Sequence, residues 1–514
     1  MHKSTPFWYN KCKRNSRKRL KPLQTEQVWG GKVYKYSDNQ ISFSDFGQPV
    51  GMTMNADNRW VKKAESIPWA EIEHRYAALF TNKKGNVAKP LRLALGACII
   101  QAEYGFSDVE TALMIQEHPY LQFFCGFSEY KDEPPFDASL MVYFRKRLTP
   151  EILGEINELI IQRAQNETEA PPAKVDSSDE KDGDDDDDDD PGNDGTMIVD
   201  ATCAPSDIRF PTDTSLLNEA RRNSEKIIDL LHVPGSGEKP RTYRRRARKE
   251  YNQFIRARKP GKSKIRKCIR QQLGYLGRNL KTIDQMLESG KALSPRWQER
   301  LETLRIVHQQ QQQMYDARTH TVENRIVSIS RPYLRPIVRG KARAQVEFGA
   351  KLDISVTDGF TRLETYSFEA YNEATFLIDV IERFRQRTGK YPQRVLADKI
   401  YRNRDNLRFC KQHHIRLSGP ALGRPKKDAV PDKQQDYADI CERVEVERCF
   451  SLAKRKCGLG LITTRLEETT ASAIALSIVV LNLRKIQCAF FRWLGFFLFG
   501  DASFRYCGKL ASVQ

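Results

Sequence analysis

The sequence has no CxxC pair, and none of its eleven cysteines stands near paired histidines at zinc-finger spacing, which argues against a zinc-stapled module. The thiols read as reduced, mostly buried side chains of a cytosolic protein. Residues 1–20 are basic and lack an apolar stretch, so they do not form a secretory signal. Long hydrophobic runs are also missing. Residues 471–483 and 490–499 are strongly apolar, but Arg484 and Lys485 separate them and Arg492 interrupts the second. Neither reaches the roughly 20 residues that span a bilayer, so both read as buried core helices and no membrane partner is expected.

What the chain does have is positive charge. The formal net charge of +19 persists although a long acidic tract subtracts from it. A surplus spread through several polar segments points to a polyanion, and to nucleic acid ahead of a membrane surface. At 514 residues the chain exceeds what one core usually serves.

Composition shifts suggest the divisions. Residues 1–65 form a basic, aromatic-flecked arm without a sustained period. Residues 66–165 turn helical: Leu91, Leu95, Cys98, Ile99 and Ala102 recur at three-and-four spacing. Val109, Ala112, Leu113, Ile115 and Gln116 continue after the break at Gly105-Phe106-Ser107. A third helix, residues 137–148, ends in Arg145, Lys146 and Arg147, so an all-α DNA-binding domain is expected. Residues 166–196 carry an unbroken aspartate run, 184–190, too self-repelling to pack. It reads as a disordered linker, acting either as a solvating spacer or as a DNA mimic that competes for the basic surface.

An α/β domain is expected over 197–490, with an apolar and basic tail at 491–514. Residues 196–202 read as a buried strand ending in Asp200, and residues 346–357 as a second strand turned by Asp358-Gly359. Residues 363–368 read as a third strand and 374–388 as an amphipathic helix. Residues 394–398 then form another apolar strand ending in a carboxylate, Asp398. A helical insertion is expected over 216–341, a hairpin whose front half is intensely basic. Arg244, Arg245, Arg246, Arg248 and Lys249 are candidate DNA ligands there; Tyr243, Tyr251 and Phe254 could stack on unpaired bases, but core packing or a plain solvated face is the better reading of them.

Glu447 falls on a predicted helix, 439–458, with the apolar stripe Val446, Phe450, Ala453 and Cys457; Arg443 and Lys454 share its side. Periodicity alone leaves Glu442 competing with Glu447 for the inward face. Asp200, Asp398 and Glu447 together would suit hard divalent cations, which take oxygen ligands and can activate one oxygen while stabilising another in an in-line displacement. Arg443 and Lys454 would position phosphates electrostatically. Two other signals are weaker. Gly261-Lys262-Ser263 looks like the end of a P-loop, but Arg256 stands where that loop needs glycine and no strand precedes it. His413 and His414 have no ligand partners at suitable spacing.

The segment from Arg443 through Glu447 to Lys454 and Arg455 resembles the glutamate helix of bacterial insertion-sequence DDE transposases, in the superfamily joining families four and five. Ile198-Val199-Asp200-Ala201-Thr202 is similar to that family's first catalytic strand, and Ala397-Asp398-Lys399-Ile400-Tyr401 to its second. Phe348-Gly349-Ala350-Lys351 and Val356-Thr357-Asp358-Gly359 resemble the strand between them, and 139–148 the N-terminal domain. Ile440 stands where a tyrosine often precedes the arginine, and Ile400 where a small residue is usual. The resemblance implies a ribonuclease-H-like catalytic domain using Asp200, Asp398 and Glu447 to bind Mg²⁺, with Mn²⁺ as a substitute. Arg443, Lys454, Arg455 and Tyr401 would contact DNA. It further implies hydrolysis at transposon ends, attack of the freed 3′-hydroxyl on target DNA, and a homodimer in the synaptic complex, all in a bacterial cytoplasm. An inactive DNA-binding derivative and a nuclease that cuts without joining are the alternatives.

Overall fold

The computed structural model describes residues 34, 42–80, 87–169, 192–232, 235, 238–338, 346–419 and 433–510; at 168–169, 433 and 490–510 only the backbone is described. Most of the expected arm, the aspartate run and the side chains of the expected tail lie outside the described residues.

Helices α1 (Arg59–Glu65), α2 (Trp69–Ala77), α3 (Leu91–Tyr104), α4 (Asp108–Glu117), α5 (Pro119–Phe124), α6 (Leu140–Arg147) and α7 (Pro150–Glu169) come first. The part of the expected arm that is described is folded: Trp60 and Val61 are buried in α1. Every residue of α3 from Leu91 to Ile100 is buried, the pattern of a helix apolar on all sides. Gly105, at φ 73°, ends it in the left-handed region that suits glycine. Two residues later Ser107 and Glu110 cap α4 reciprocally. Of the residues expected on that helix, Val109 and Leu113 face solvent, while Ala112 and Ile115 are buried.

Strand β1 (Thr196–Pro205) is followed by α8 (Asp213–Leu231), α9 (Arg244–Ile255), α10 (Lys262–Glu288) and α11 (Pro295–Ala317). The insertion is therefore more than a hairpin: α8, α10 and α11 enclose their own core around Leu217, Leu276, Ile283 and Leu304. The chain returns through β2 (Arg335–Val338), β3 (Val346–Thr357), β4 (Phe360–Ser367), α12 (Leu377–Thr388), β5 (Arg394–Leu396), α13 (Arg404–Gln412) and β6 (Arg416–Leu417). It ends in α14 (Lys433–Lys456) and α15 (Glu467–Leu510).

Strand β3 pairs antiparallel with β1 on one edge and with β2 and β4 on the other, while β1, β5 and β6 run parallel. This mixed sheet order fits a ribonuclease-H-like fold. Asp358 and Gly359, at φ 52° and 71°, make the two-residue turn of the β3–β4 hairpin, so β4 begins at Phe360, three residues before the expected strand. Gly349 is required where β3 crosses β1, because a Cβ there would lie 1.9 Å from the Ala204 carbonyl oxygen.

The two apolar C-terminal runs form one continuous helix, α15, with Arg484 and Lys485 inside it. Its part from Glu467 to Ala489 is long and apolar enough to cross a membrane, yet it is mostly buried within the fold. Ile474, Ile478, Val479 and Leu483 join the same core as α1–α7 and β3. At that junction Asn482 donates to the Asn157 side chain at 2.8 Å and to the Thr361 carbonyl at 2.8 Å, and accepts from the Thr361 amide at 2.9 Å. One buried amide network thus ties α7, β4 and α15 together.

Candidate active site

Residues alternate across β1. Ile198 and Asp200 face α14, while Met197 and Val199 face α12. The parallel register pairs Ile198 with Leu396, so two residues further along each chain Asp200 and Asp398 stand beside one another past the end of β5. Local hydrogen bonds fix both carboxylates. Asp200 accepts from the Ala201 amide at 2.7 Å, and Asp398 from the Lys399 amide at 2.7 Å. Burial raises the pKa of Asp200, with repulsion from Asp398 and Glu373 adding to it; the Ala201 amide and Arg443 pull the other way.

Helix α14 lies across this face. Val446 packs on Ile198, Val356 and Leu396. Its first half is clamped to the sheet by ion pairs of Asp439 with Arg416 at 2.6 Å and Glu442 with Arg394 at 2.8 Å. That pairing turns Glu442 towards the start of β5. One turn after Asp439, Arg443 approaches Asp200 at 3.9 Å. Glu447 follows a further turn along the same side; it is exposed and has no ion pair among the described residues. Among the described residues no three His, Cys, Asp or Glu side chains gather closely enough to hold an ion, so Asp200 and Asp398 form a pair and Glu447 stands apart. Lys454 is half-buried and Arg455 exposed at the far end of the helix.

Several expected DNA contacts lie elsewhere. Arg145 is buried, its guanidinium bidentate on Asp108 at 2.8 Å and bonded to Gln101 at 2.7 Å, so it braces α6 against α3 and α4. Arg147 lies over the Phe80 ring at 4.9 Å, whereas Lys146 is exposed and pairs with Glu468 at 3.2 Å. Tyr401 is buried, and desolvation pushes its hydroxyl far above the usual range; its position among Asp353, Glu373 and Asp200 supports the acidic site from beneath and leaves the ring out of reach of DNA. In the insertion Arg244 is held bidentate by Asp229 at 2.7 and 3.0 Å, and Arg246 pairs with Glu250 at 3.0 Å. Arg245, Arg248 and Lys249 are exposed.

Sequence reading missed two features. Asp353 sits on β3 opposite Ala201, between Leu352 and Ile354, with both oxygens buried and without a hydrogen-bond partner. Burial pushes its carboxyl up to about 7. Its only sequence signal was an acid within an apolar strand. The second is a cleft of about 940 Å³ to which Arg209, Arg222, Lys226 and Arg300 contribute as well as Arg245 and Arg248. The four-residue step from Arg222 to Lys226 was its legible trace.

Residues 395–484 match the family described as a transposase DDE domain, and residues 51–147 a transposase domain (DUF772). The first match takes in Asp398, Glu447 and Lys454. The chain is also 30% identical over 175 residues to the uncharacterized protein ORF8 of the nfe locus of Rhizobium meliloti; this covers 34% of the chain and 75% of that protein. No solved structure matches the chain.

Proposed function

The chain belongs to the DDE transposases, and from that premise we propose that it cuts DNA at the ends of its element and joins the freed 3′-hydroxyl to target DNA, with Asp200, Asp398 and Glu447 as the acids. The observation that carries this reading is the pair formed by Asp200, midway along β1 and not at its end as expected, and Asp398, two residues past the end of the parallel strand β5, with Arg443 of α14 near Asp200. Burial and the neighbouring Asp398 carboxylate raise the pKa of Asp200, a penalty that a bound cation relieves.

The donor set suits Mg²⁺, with Mn²⁺ as a substitute, since this ion is typically held by one or two carboxylates plus substrate phosphate. When bound, such a metal activates the attacking oxygen and stabilises the leaving one. Glu447 adds its carboxylate from the helix side, one turn beyond Arg443. Arg443 partly offsets the charge of Asp200 and turns to a phosphate when DNA arrives, with Lys454 and Arg455 extending that contact along α14. Tyr401 acts as a prop for the turn that carries Asp398. Lys146 of the N-terminal helical region, together with Arg245, Arg248 and Lys249 of the insertion, supplies sequence-independent affinity for DNA phosphates. Two copies bring two element ends together.

The test is cleavage and strand transfer on DNA bearing the element's own ends with Mg²⁺ or Mn²⁺, comparing wild type with Asp200→Ala, Asp398→Ala and Glu447→Ala. Each change is expected to abolish both steps while leaving DNA binding intact. Cleavage without joining would leave only a nuclease, and binding without cleavage in wild type would reduce the chain to a DNA-binding protein.

A further inference from the structure

Beyond the acidic site, we infer that the cleft between α8, α9 and the segment after β1 binds the phosphates of a single DNA strand. Its cations come from four separate stretches. Arg222 and Lys226 stand one turn apart on α8, Arg245 and Arg248 three residues apart on α9, with Arg209 from the loop after β1 and Arg300 from α11. Convergence of positive charge from elements so far apart in sequence costs self-repulsion, and an anion repays it. Lys226, Arg245 and Arg248 have no ion pair among the described residues, so their charges are available to a ligand.

Against these six cations stand three acids on the same wall, Asp207, Glu219 and Glu225. Glu225 is tied to Arg221, itself buried, and burial raises the pKa of Glu219 against the opposing pull of Arg300 and Arg222.

Size selects the occupant. At about 940 Å³ the cleft is in the range of a small-ligand pocket. A short run of nucleotides is of the size such a pocket takes, and a single strand, thinner than a duplex, can lay its phosphates against Arg222, Lys226, Arg245 and Arg248. Its position connects it with the chemistry. Asp207 and Arg209 on its wall follow Asp200 along β1 and the loop after it, which places the cleft at most about 25 Å from that carboxylate, roughly seven base-pair steps. A strand separated at the acidic site can therefore be followed into the cleft. The inference rests on the reading above in taking DNA as the ligand, but it requires no catalysis.

The experiment measures anisotropy of a fluorescein-labelled single-stranded oligonucleotide and of its duplex, without metal, across a salt series. Full-length wild type is compared with the variant Arg222→Ala, Lys226→Ala, Arg245→Ala, Arg248→Ala, and with a control losing four exposed charges elsewhere, Lys281→Ala, Lys390→Ala, Arg404→Ala, Lys411→Ala. The cleft variant is expected to lower the slope of log affinity against log salt for single strands by about 3, and the control by much less. Should the fourfold variant lose its native circular dichroism, Arg245→Ala with Arg248→Ala is expected to give about half that drop. Equal losses in cleft and control variants would overturn the inference, as would a loss confined to duplex. If wild type binds single strands through the cleft yet never cuts, the transposition chemistry fails and the cleft stands; if it cuts and joins while cleft variants bind single strands normally, only the cleft fails.

Discussion

The two helical regions of this protein are built on opposite plans. Helices α1–α7 share one core with β3, α14 and α15, so that Leu95, Ile99 and Phe144 belong to the same cluster as Ile354, Ala453 and Val479. Helices α8, α10 and α11 pack mainly on each other, and their cluster contains no residue of the sheet. The first region is thus part of the catalytic body and the second a satellite on it. A covalent position between two strands does not make an insertion integral, and an N-terminal position does not make a region separate.

The difference can be broken most sharply at the junction of α1 and α3. Lys63 and Glu103 form a buried ion pair there, and burial lowers the pKa of Lys63 against the pull of Glu103. Glu103→Ala leaves an ammonium without its partner and is expected to cost about 3–5 kcal/mol. Denaturant melts followed by hydrogen exchange should show the sheet and α1–α7 losing protection together; loss confined to α1–α7 would contradict the shared core.

The converse change is Leu276→Ala on α10, where a fully buried side chain is removed from the satellite. A cost of about 2–5 kcal/mol is expected within that region. Exchange should rise across α8, α10 and α11 while β1 and β3 amides stay protected, and a uniform rise would mean that the insertion is coupled to the sheet after all.

A smaller effect sharpens the contrast through pH. Asp353 is raised from 3.8 to about 7, so the folded chain holds a proton that the unfolded chain releases. Stability from this group is full below pH 3.8 and is lost as pH rises towards 7. Asp353→Asn should flatten the fall of Tm across that window, and exchange should register the change in the fused body and not in α8–α11. An unaltered pH profile would mean that Asp353 finds a partner in solution.

Much of the site was legible because its signals are local. An apolar strand ending in an acid, the Asp358-Gly359 turn and the stripe under Glu447 each depend on a handful of consecutive residues. The capping pair at Ser107 and Glu110 is legible for the same reason. The place of Glu442 was not, since it is drawn away by Arg394, 48 residues from it, while Glu447 stays exposed.

By itself, then, the sequence determined the strand that carries Asp200, the strand that Asp398 follows, the helix that carries Glu447, and the basic character that demands a polyanion; that the first strand runs on past Asp200 to Pro205 it did not. Only the tertiary structure decided that Arg145 is a buried brace and Tyr401 an internal prop, that Asp353 lies unpaired beneath the acids, and that arginines from distant elements converge on one cleft. The reason is physical: backbone period and turn chemistry are set by near neighbours, whereas whether a charge meets water, a counter-charge or another charge of its own sign is set by chain segments tens of residues or more away.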